Sequence, residues 1–278
     1  MTGTGTPEDP LCPENFDEFI TAVQTSGAYV SCPENGLWNM NKIRREGITE
    51  SIEVKCAGID GNNCEIRNLF ARGDSTQPVF KFTARSCYID SLHFVSFLHN
   101  RSGALFYGQN TSVGEYTFFN CKLSGVMVRG KFADISTSKF EFRAGEKKGC
   151  SFDIRLLNNS SFYSASYTDG FYDCNIRLRG KSSGTSRIRL INSKLQGEMP
   201  FEKMSLSKKS ETSLIDMRIS SNQAIEEFST GDTITSVLIN ADKVADGAEI
   251  PQSLVKVPQS NLTDAEYLNS VGFPIGGV

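Results

Sequence analysis

The chain has 278 residues, of which 38% are hydrophobic and 22% charged, and 29 basic against 32 acidic side chains leave a net charge of −3. That is too apolar for a disordered chain, and it carries no positive excess to hold a polyanion, so nucleic acid is not a predicted partner. With 24 Gly and 19 Phe against one Trp and two His, the composition suits turns and stacked strand interiors and leaves few imidazoles for catalysis or metal binding.

The first twelve residues, Gly/Thr/Pro-rich, have neither a basic n-region nor an apolar h-region, which predicts synthesis in a cytosol rather than classical secretion. No stretch approaches the ~20 apolar residues that span a bilayer, so no membrane partner is predicted. Asn15 then caps a helix, with Glu18 at the capping-box position and Phe16, Phe19, Ile20 and Val23 forming one apolar stripe that Gly27 closes. A single amphipathic helix ahead of a strand array is placed to cover the array's open first layer. Residues 1–50 are therefore read as a lead-in and capping helix.

From residue 51 to 242 short strands alternate with Gly, Asn, Asp and Ser, and no helical periodicity intervenes. One phrase returns along this region, a small or polar residue, then Cys or Ser, any residue, and Leu, Ile or Phe. It reads Asn63-Cys64-Glu65-Ile66, Ser86-Cys87-Tyr88-Ile89, Asn120-Cys121-Lys122-Leu123, Thr137-Ser138-Lys139-Phe140, Asp173-Cys174-Asn175-Ile176 and Asn192-Ser193-Lys194-Leu195. The separations are irregular, but Cys64 to Cys87 fits one turn of a coiled strand array and Ser138 to Cys174 nearly two. Residues i and i+2 share a strand face, so the Cys or Ser points inward with the Leu or Ile, and Asn or Asp before it occupies a corner in the left-handed region. The predicted fold is all-β: a single right-handed parallel β-helix with an N-terminal capping helix and a short C-terminal helical tail. Cys64, Cys87, Cys121 and Cys174 are predicted to be reduced and stacked in shared interior columns. A disulfide between Cys12 and Cys32, which flank the first helix, is a further possibility. After Asp242 the strands fade: 243–278 reads as an extended linker and a helix capped by Thr263 with Glu266 in the capping-box position, ended by Gly272.

The lead-in Gly3-Thr4-Gly5-Thr6-Pro7-Glu8-Asp9-Pro10 and the helix opening Phe16-Asp17-Glu18-Phe19 resemble the start of bacteriophage β-helix proteins, in which a Gly-Thr-x-x-Asp-Pro phrase precedes a short helix. The ending Tyr267-Leu268-Asn269-Ser270-Val271-Gly272-Phe273-Pro274-Ile275 is similar to the C-terminus of phage structural proteins. These segments cover about thirty residues at the two ends. The resemblance implies a virion component made in the host cytoplasm, either a capsid decoration or head-fibre protein or a tail appendage. It implies a homotrimer whose partners are itself and the major capsid or tail proteins, with a host-surface glycan as a further ligand. Attachment is expected at a terminus, through Gly3 and Pro10 or through Tyr267, Phe273, Pro274 and Ile275.

The β-helix also hosts enzymes on acidic polysaccharides. Polygalacturonase-like sites carry Asp-Asp and Gly-His-Gly phrases that this chain lacks, and Arg187-Ile188-Arg189 is the one echo of their basic phrase. A lyase would need clustered carboxylates and a base, for which Asp169, Asp173, Arg177 and Arg179 are the candidates, although carboxylates at turns are the ordinary expectation on β folds. His93 reads as an outward strand residue and His99 as a solvated one beside an Asn100-Arg101-Ser102-Gly103 turn. Arg72-Gly73-Asp74 reads as a turn. No catalytic residue, metal or cofactor is predicted; the alternative is a carbohydrate-binding or polysaccharide-cleaving β-helix.

Overall fold

The structure is a computed structural model that describes residues 1–40, 47–73, 76–108, 115–135, 139–143, 150–156, 161–165, 171–180, 186–228 and 234–273. The chain is mostly β with few helices, and every pairing between its named strands is parallel. Strands rarely pair with their sequence neighbours. Each pairs with an equivalent one tier later, and the tiers form three series.

One series runs through Tyr29–Ser31, Gly58–Asp60, Ser86–Asp90, Glu115–Phe119, Lys139–Arg143, Phe171–Tyr172 and Leu190–Ile191. A second runs through Leu37–Asn39, Glu65–Arg67, His93–Val95, Lys122–Ile135, Cys150–Leu156, Cys174–Gly180 and Lys194–Glu198, and then Glu211–Arg218, Thr235–Asn240 and Val255–Val257. The third holds Ile52–Val54, Phe80–Phe82 and the later part of Leu98–Gly108, and continues into Lys122–Ile135 and Ser161–Ala165. Lys122–Ile135 belongs to two series because it bends without breaking: its first half pairs with His93–Val95 and its second with Ser161–Ala165. Such long strands merge the series into one continuous sheet. Ser186–Ile188, Lys203–Ser207 and Ala224–Phe228 form a separate parallel sheet of three strands.

Parallel pairing fixes what the interior contains. Tiers lie about 4.8 Å apart, so a residue that points inward meets its register partner above and below. In the first series that column is Val30, Ile59, Ile89, Phe118, Phe142, Phe171 and Leu190. Phe118 and Phe142 stack with ring centroids 4.9 Å apart and planes 23° apart, and Phe142 and Phe171 at 5.0 Å and 13°. All three rings are at most 2% exposed. The ring spacing equals the strand spacing, so face-on stacking costs the backbone nothing.

Helix α1 (Phe16–Gln24) closes the first tier as predicted. Asn15 Oδ1 accepts from the Glu18 N–H, and Glu18 Oε2 accepts from the Glu14 N–H, so the return arm of the capping box lands one residue early. Phe16 and Phe19 pack with Trp38, whose Nε1–H donates to the Glu14 carbonyl. At the helix's other end the Val23 carbonyl accepts from the Lys55 and Cys56 N–H groups at 2.8 and 3.1 Å. The lead-in is folded as well: Leu11 bridges Val30 in parallel, extending the first series backwards. One hydrophobic cluster runs from Leu11 to Leu254, through both expected segment boundaries.

Several expectations are corrected at the C-terminal end. The presumed linker carries a strand, Val255–Val257, paired with Thr235–Asn240, because Leu238, Ile239 and Asn240 offer it an open ladder. Two short helices follow, α2 (Gln259–Leu262) and α3 (Ala265–Ser270). Asp264, not Thr263, caps α3, its Oδ1 accepting from the Glu266 and Tyr267 N–H groups; Thr263 is already committed to ending α2, its hydroxyl donating to the Ser260 carbonyl.

If the phenylalanine column is the continuous core that the register implies, Phe118→Ala should lower unfolding free energy by about 3–5 kcal/mol in urea titrations. A loss below about 1 kcal/mol would mean that the ring is not held between its neighbours.

Candidate functional site: a polar groove beside the C-terminal tail

The recurring phrase resolves into corner chemistry. Asn63, Asn120, Asp173 and Asn192 all have φ between +48° and +58°, the left-handed conformation that Asn and Asp tolerate best after glycine. The next residue turns inward. Cys121 Sγ donates to the Ile89 and Phe119 carbonyls, Cys174 Sγ to those of Phe142 and Tyr172, and Ser193 Oγ to those of Phe171 and Ile191. Ser193 Oγ also accepts the Cys174 N–H, and Ser213 Oγ the Ser193 N–H. A small side chain with a donor therefore adds a second hydrogen bond to corner carbonyls such as those of Phe119 and Ile191, which already accept the Ser91 and Asp173 N–H groups. Burial pushes the Cys121 thiol up to about 12, which keeps it protonated and donating.

Cys64, Cys121 and Cys174 occupy this corner, but Cys87 does not. Its register partner is Tyr116, inside the first series, and Ser91-Leu92-His93-Phe94 holds the equivalent corner of that tier. Thr137 and Ser138 lie outside the described residues. Cys12, Cys32, Cys56, Cys64, Cys87, Cys121 and Cys174 are free thiols, so Cys12 and Cys32 are not bridged. Cys12 Sγ donates to the Pro10 carbonyl, while Cys32 interacts with Cys64, a contact that pushes the Cys32 thiol up and the Cys64 thiol down.

Of the candidate lyase residues, the structure describes the side chains of Asp173 and Arg177. Asp173 is a left-handed corner residue whose N–H donates to the Ile191 carbonyl, and Arg177 is exposed on the following strand. Asp169 and Asp74 lie outside the described residues, as does the side chain of Arg179. His93 occupies an outward register position between Glu65 and Lys122 yet is buried, its Nδ1 accepting the Lys122 N–H at 3.2 Å. His99 is not solvated. The expected turn after it is a register shift within the bent strand Leu98–Gly108, which places His99 beside Ala71 and Val128 in the interior, its Nε2 2.9 Å from the Gly103 carbonyl.

The terminal residues fare differently. Gly3 (φ +93°) lies so close to the Pro10 carbonyl that a Cβ there would sit 1.8 Å from it, and Asp9 accepts from the Thr4 and Gly5 N–H groups. Gly3 and Pro10 thus close one compact loop whose residues are mostly exposed. At the other end Phe273 is buried with Leu262 and Leu268 against Leu214, Leu238 and Val257, and Tyr267 packs on the same cluster. Pro274 and Ile275 lie outside the described residues. The outward register column explains the docking: it reads Leu37, Glu65, His93, Lys122, Ser151, Asn175 and Lys194, then turns to Leu214 and Leu238 where the tail covers it.

Beside the docked tail runs a groove that sequence reading did not anticipate. One part, about 750 Å³, is lined by Gly197, Glu198, Arg218, Ser220, Asp242 and Lys243. A second part, about 570 Å³, shares Glu198, Arg218 and Ser220 and adds Phe201, Glu202 and Asn222. Glu198 and Arg218 are register partners, so one carboxylate and one guanidinium stand side by side across adjacent tiers. The floor is rigid. Gln223 accepts the Ser220 N–H and donates to the Met199 and Phe201 carbonyls, and a Cβ on Gly197 would lie 2.2 Å from the Leu178 carbonyl. No lining residue is a histidine or cysteine, and among the described residues no group of three or more His, Cys, Asp or Glu could hold a metal. Such a groove offers donors and acceptors of both signs to a polar chain.

The sequence matches no known family model and no curated protein.

Asp216, 14% exposed, ties the groove wall to the tail: Lys243 Nζ lies 2.6 Å from its Oδ1, and Asn240 donates to the same oxygen and to Gln259 Oε1. Burial pushes the Asp216 carboxyl up, but the bonds from Lys243 and Asn240 outweigh it and hold the carboxyl below its ordinary value. A folded-state value below the unfolded one stabilises the fold above about pH 4 and loses that contribution as pH falls further. Asp216→Asn should therefore melt below the parent at pH 7, with the gap closing below about pH 4. A gap constant across thermal melts at these pH values would show that the ion pair contributes nothing.

Proposed function

We propose that the three series are the faces of a single parallel β-helix, right-handed by the chirality that governs parallel crossovers. We further propose that the chain is a non-enzymatic structural component of a bacteriophage particle, a capsid decoration or head fibre or a tail appendage, working as a homotrimer. The observation that carries this reading is the folded, exposed Gly3–Pro10 loop, the segment that resembles the opening of phage β-helix proteins, which sits ahead of a helix sealing one continuous core. Of the two candidate attachment points this loop is favoured, because Phe273 is spent on the chain's own surface. The mixed-charge groove favours one second reading, a β-helix that binds or cleaves a polysaccharide.

Residues 2–10 deleted from the chain should reduce its incorporation into particles more than tenfold by quantitative immunoblotting, while a Glu198→Gln/Arg218→Gln pair leaves incorporation unchanged. Equal incorporation of all three proteins would remove the loop as the attachment point. Turnover of an acidic or neutral polysaccharide that the Glu198→Gln/Arg218→Gln pair abolishes would establish the second reading instead.

A further inference from the structure

We infer that Cys56 and Cys87 form a redox-modification site, a buried dithiol that closes into a disulfide joining the second and third tiers of the first series. The two Sγ atoms are 3.8 Å apart, and the thiols are 0% and 2% exposed. Their backbones already run side by side, since the Tyr88 N–H donates to the Ala57 carbonyl at 3.1 Å, and these are the residues immediately after each cysteine. The ladder pairs Gly58 with Tyr88, so Cys56 sits diagonally from Cys87, one residue out of register across strands about 4.8 Å apart; the resulting separation of about 6 Å lies inside the roughly 4.4–6.8 Å between Cα atoms that a disulfide spans. Closing the bond therefore needs rotation of the two side chains, not movement of the coils.

The position gives the bond a consequence. Cys56 lies where helix α1 is seated, its N–H donating to the Val23 carbonyl at the helix's last turn. A bond from Cys56 to Cys87, 31 residues on, would fasten the seat of the cap to the third tier of the first series. Cross-links stabilise mainly by restricting the unfolded chain, so the oxidised rod would hold its N-terminal seal more tightly than the reduced one. The inference rests on this pairing alone and stands whether or not the chain rides on a particle.

The chemistry balances as thiol–disulfide exchange with a low-molecular-weight disulfide of the glutathione class. A local opening of either tier exposes one thiol, which loses its proton and attacks the small disulfide, releasing one small thiolate. The second cysteine, deprotonated in turn, attacks the mixed disulfide and releases the other. The protein dithiol gives up two electrons and two protons, and the small disulfide becomes two thiols. Stacking of two thiols as small apolar fillers is the competing account, and it predicts no bond.

The test uses the full folded chain incubated with oxidised glutathione and read by intact mass and peptide mapping. Expected are the loss of two hydrogens without a glutathione adduct, a cross-linked peptide pair holding Cys56 and Cys87, and a thermal midpoint raised by roughly 5–10 °C. Cys64→Ser, which removes the nearest other thiol in the same proteolytic fragment, should leave the cross-link in place; Cys87→Ser and Cys56→Ala should each abolish it. No cross-link in the folded chain, a cross-link that appears only after unfolding in urea, one that survives Cys87→Ser, or a midpoint that does not rise would each overturn the inference.

Discussion

Parallel pairing at a fixed spacing is the constraint from which the rest of this molecule follows. Once Val30 pairs with Ile59, and Ile59 with Ile89, each inward position becomes a column of stacked side chains, here apolar along its whole length. Phe118, Phe142 and Phe171 fill that column with rings spaced like the strands beneath them. A substitution in such a column is felt by both neighbours, which is why the core tolerates little change in volume there. Outward columns carry no such limit, and they vary freely until something covers them.

The corners show the same economy with polar groups. A left-handed Asn or Asp turns the corner, and the Cys or Ser after it returns a hydrogen bond to the carbonyl two residues back. That pairing of residue types made the phrase readable in the sequence at Cys64, Cys121, Cys174 and Ser193. It also misled. Ser86-Cys87-Tyr88-Ile89 has the right letters but sits within a strand, because the phrase is defined by a corner and letters alone carry no register. The corner of the same tier uses Ser91 and Leu92, and later ones use Thr212-Ser213 and Ser236-Val237; Thr212-Ser213-Leu214-Ile215 fits the phrase, whereas Leu92 and Val237 stand where the phrase asks for Cys or Ser. His99 escaped for a related reason. Polar neighbours suggested a turn, whereas pairing with the flanking tiers carried the strand through and drew the ring inside.

The tail was legible as one helix where the chain forms two, and its apolar end as a segment either packed on the body or used for attachment, but the face it covers was not legible. Its signal lies elsewhere in the chain: Leu214-Ile215 and Leu238-Ile239 put consecutive apolar residues on strands that otherwise alternate, a mark of burial on both faces. The groove left no comparable mark. Its walls come from residues brought together only by the stacking of separate tiers, and Glu198 and Arg218 look like ordinary exposed charges until the register sets them beside each other.

The length of chain per tier changes along the molecule. Hydrogen bonds between adjacent tiers join residues 31 and 29 apart near Asn62 and Lys122, but 19 and 20 apart near Ser193. The return lengthens again to 24 residues between Asp216 and Asn240, so the chain spent on each tier does not fall steadily away from the helix-sealed end.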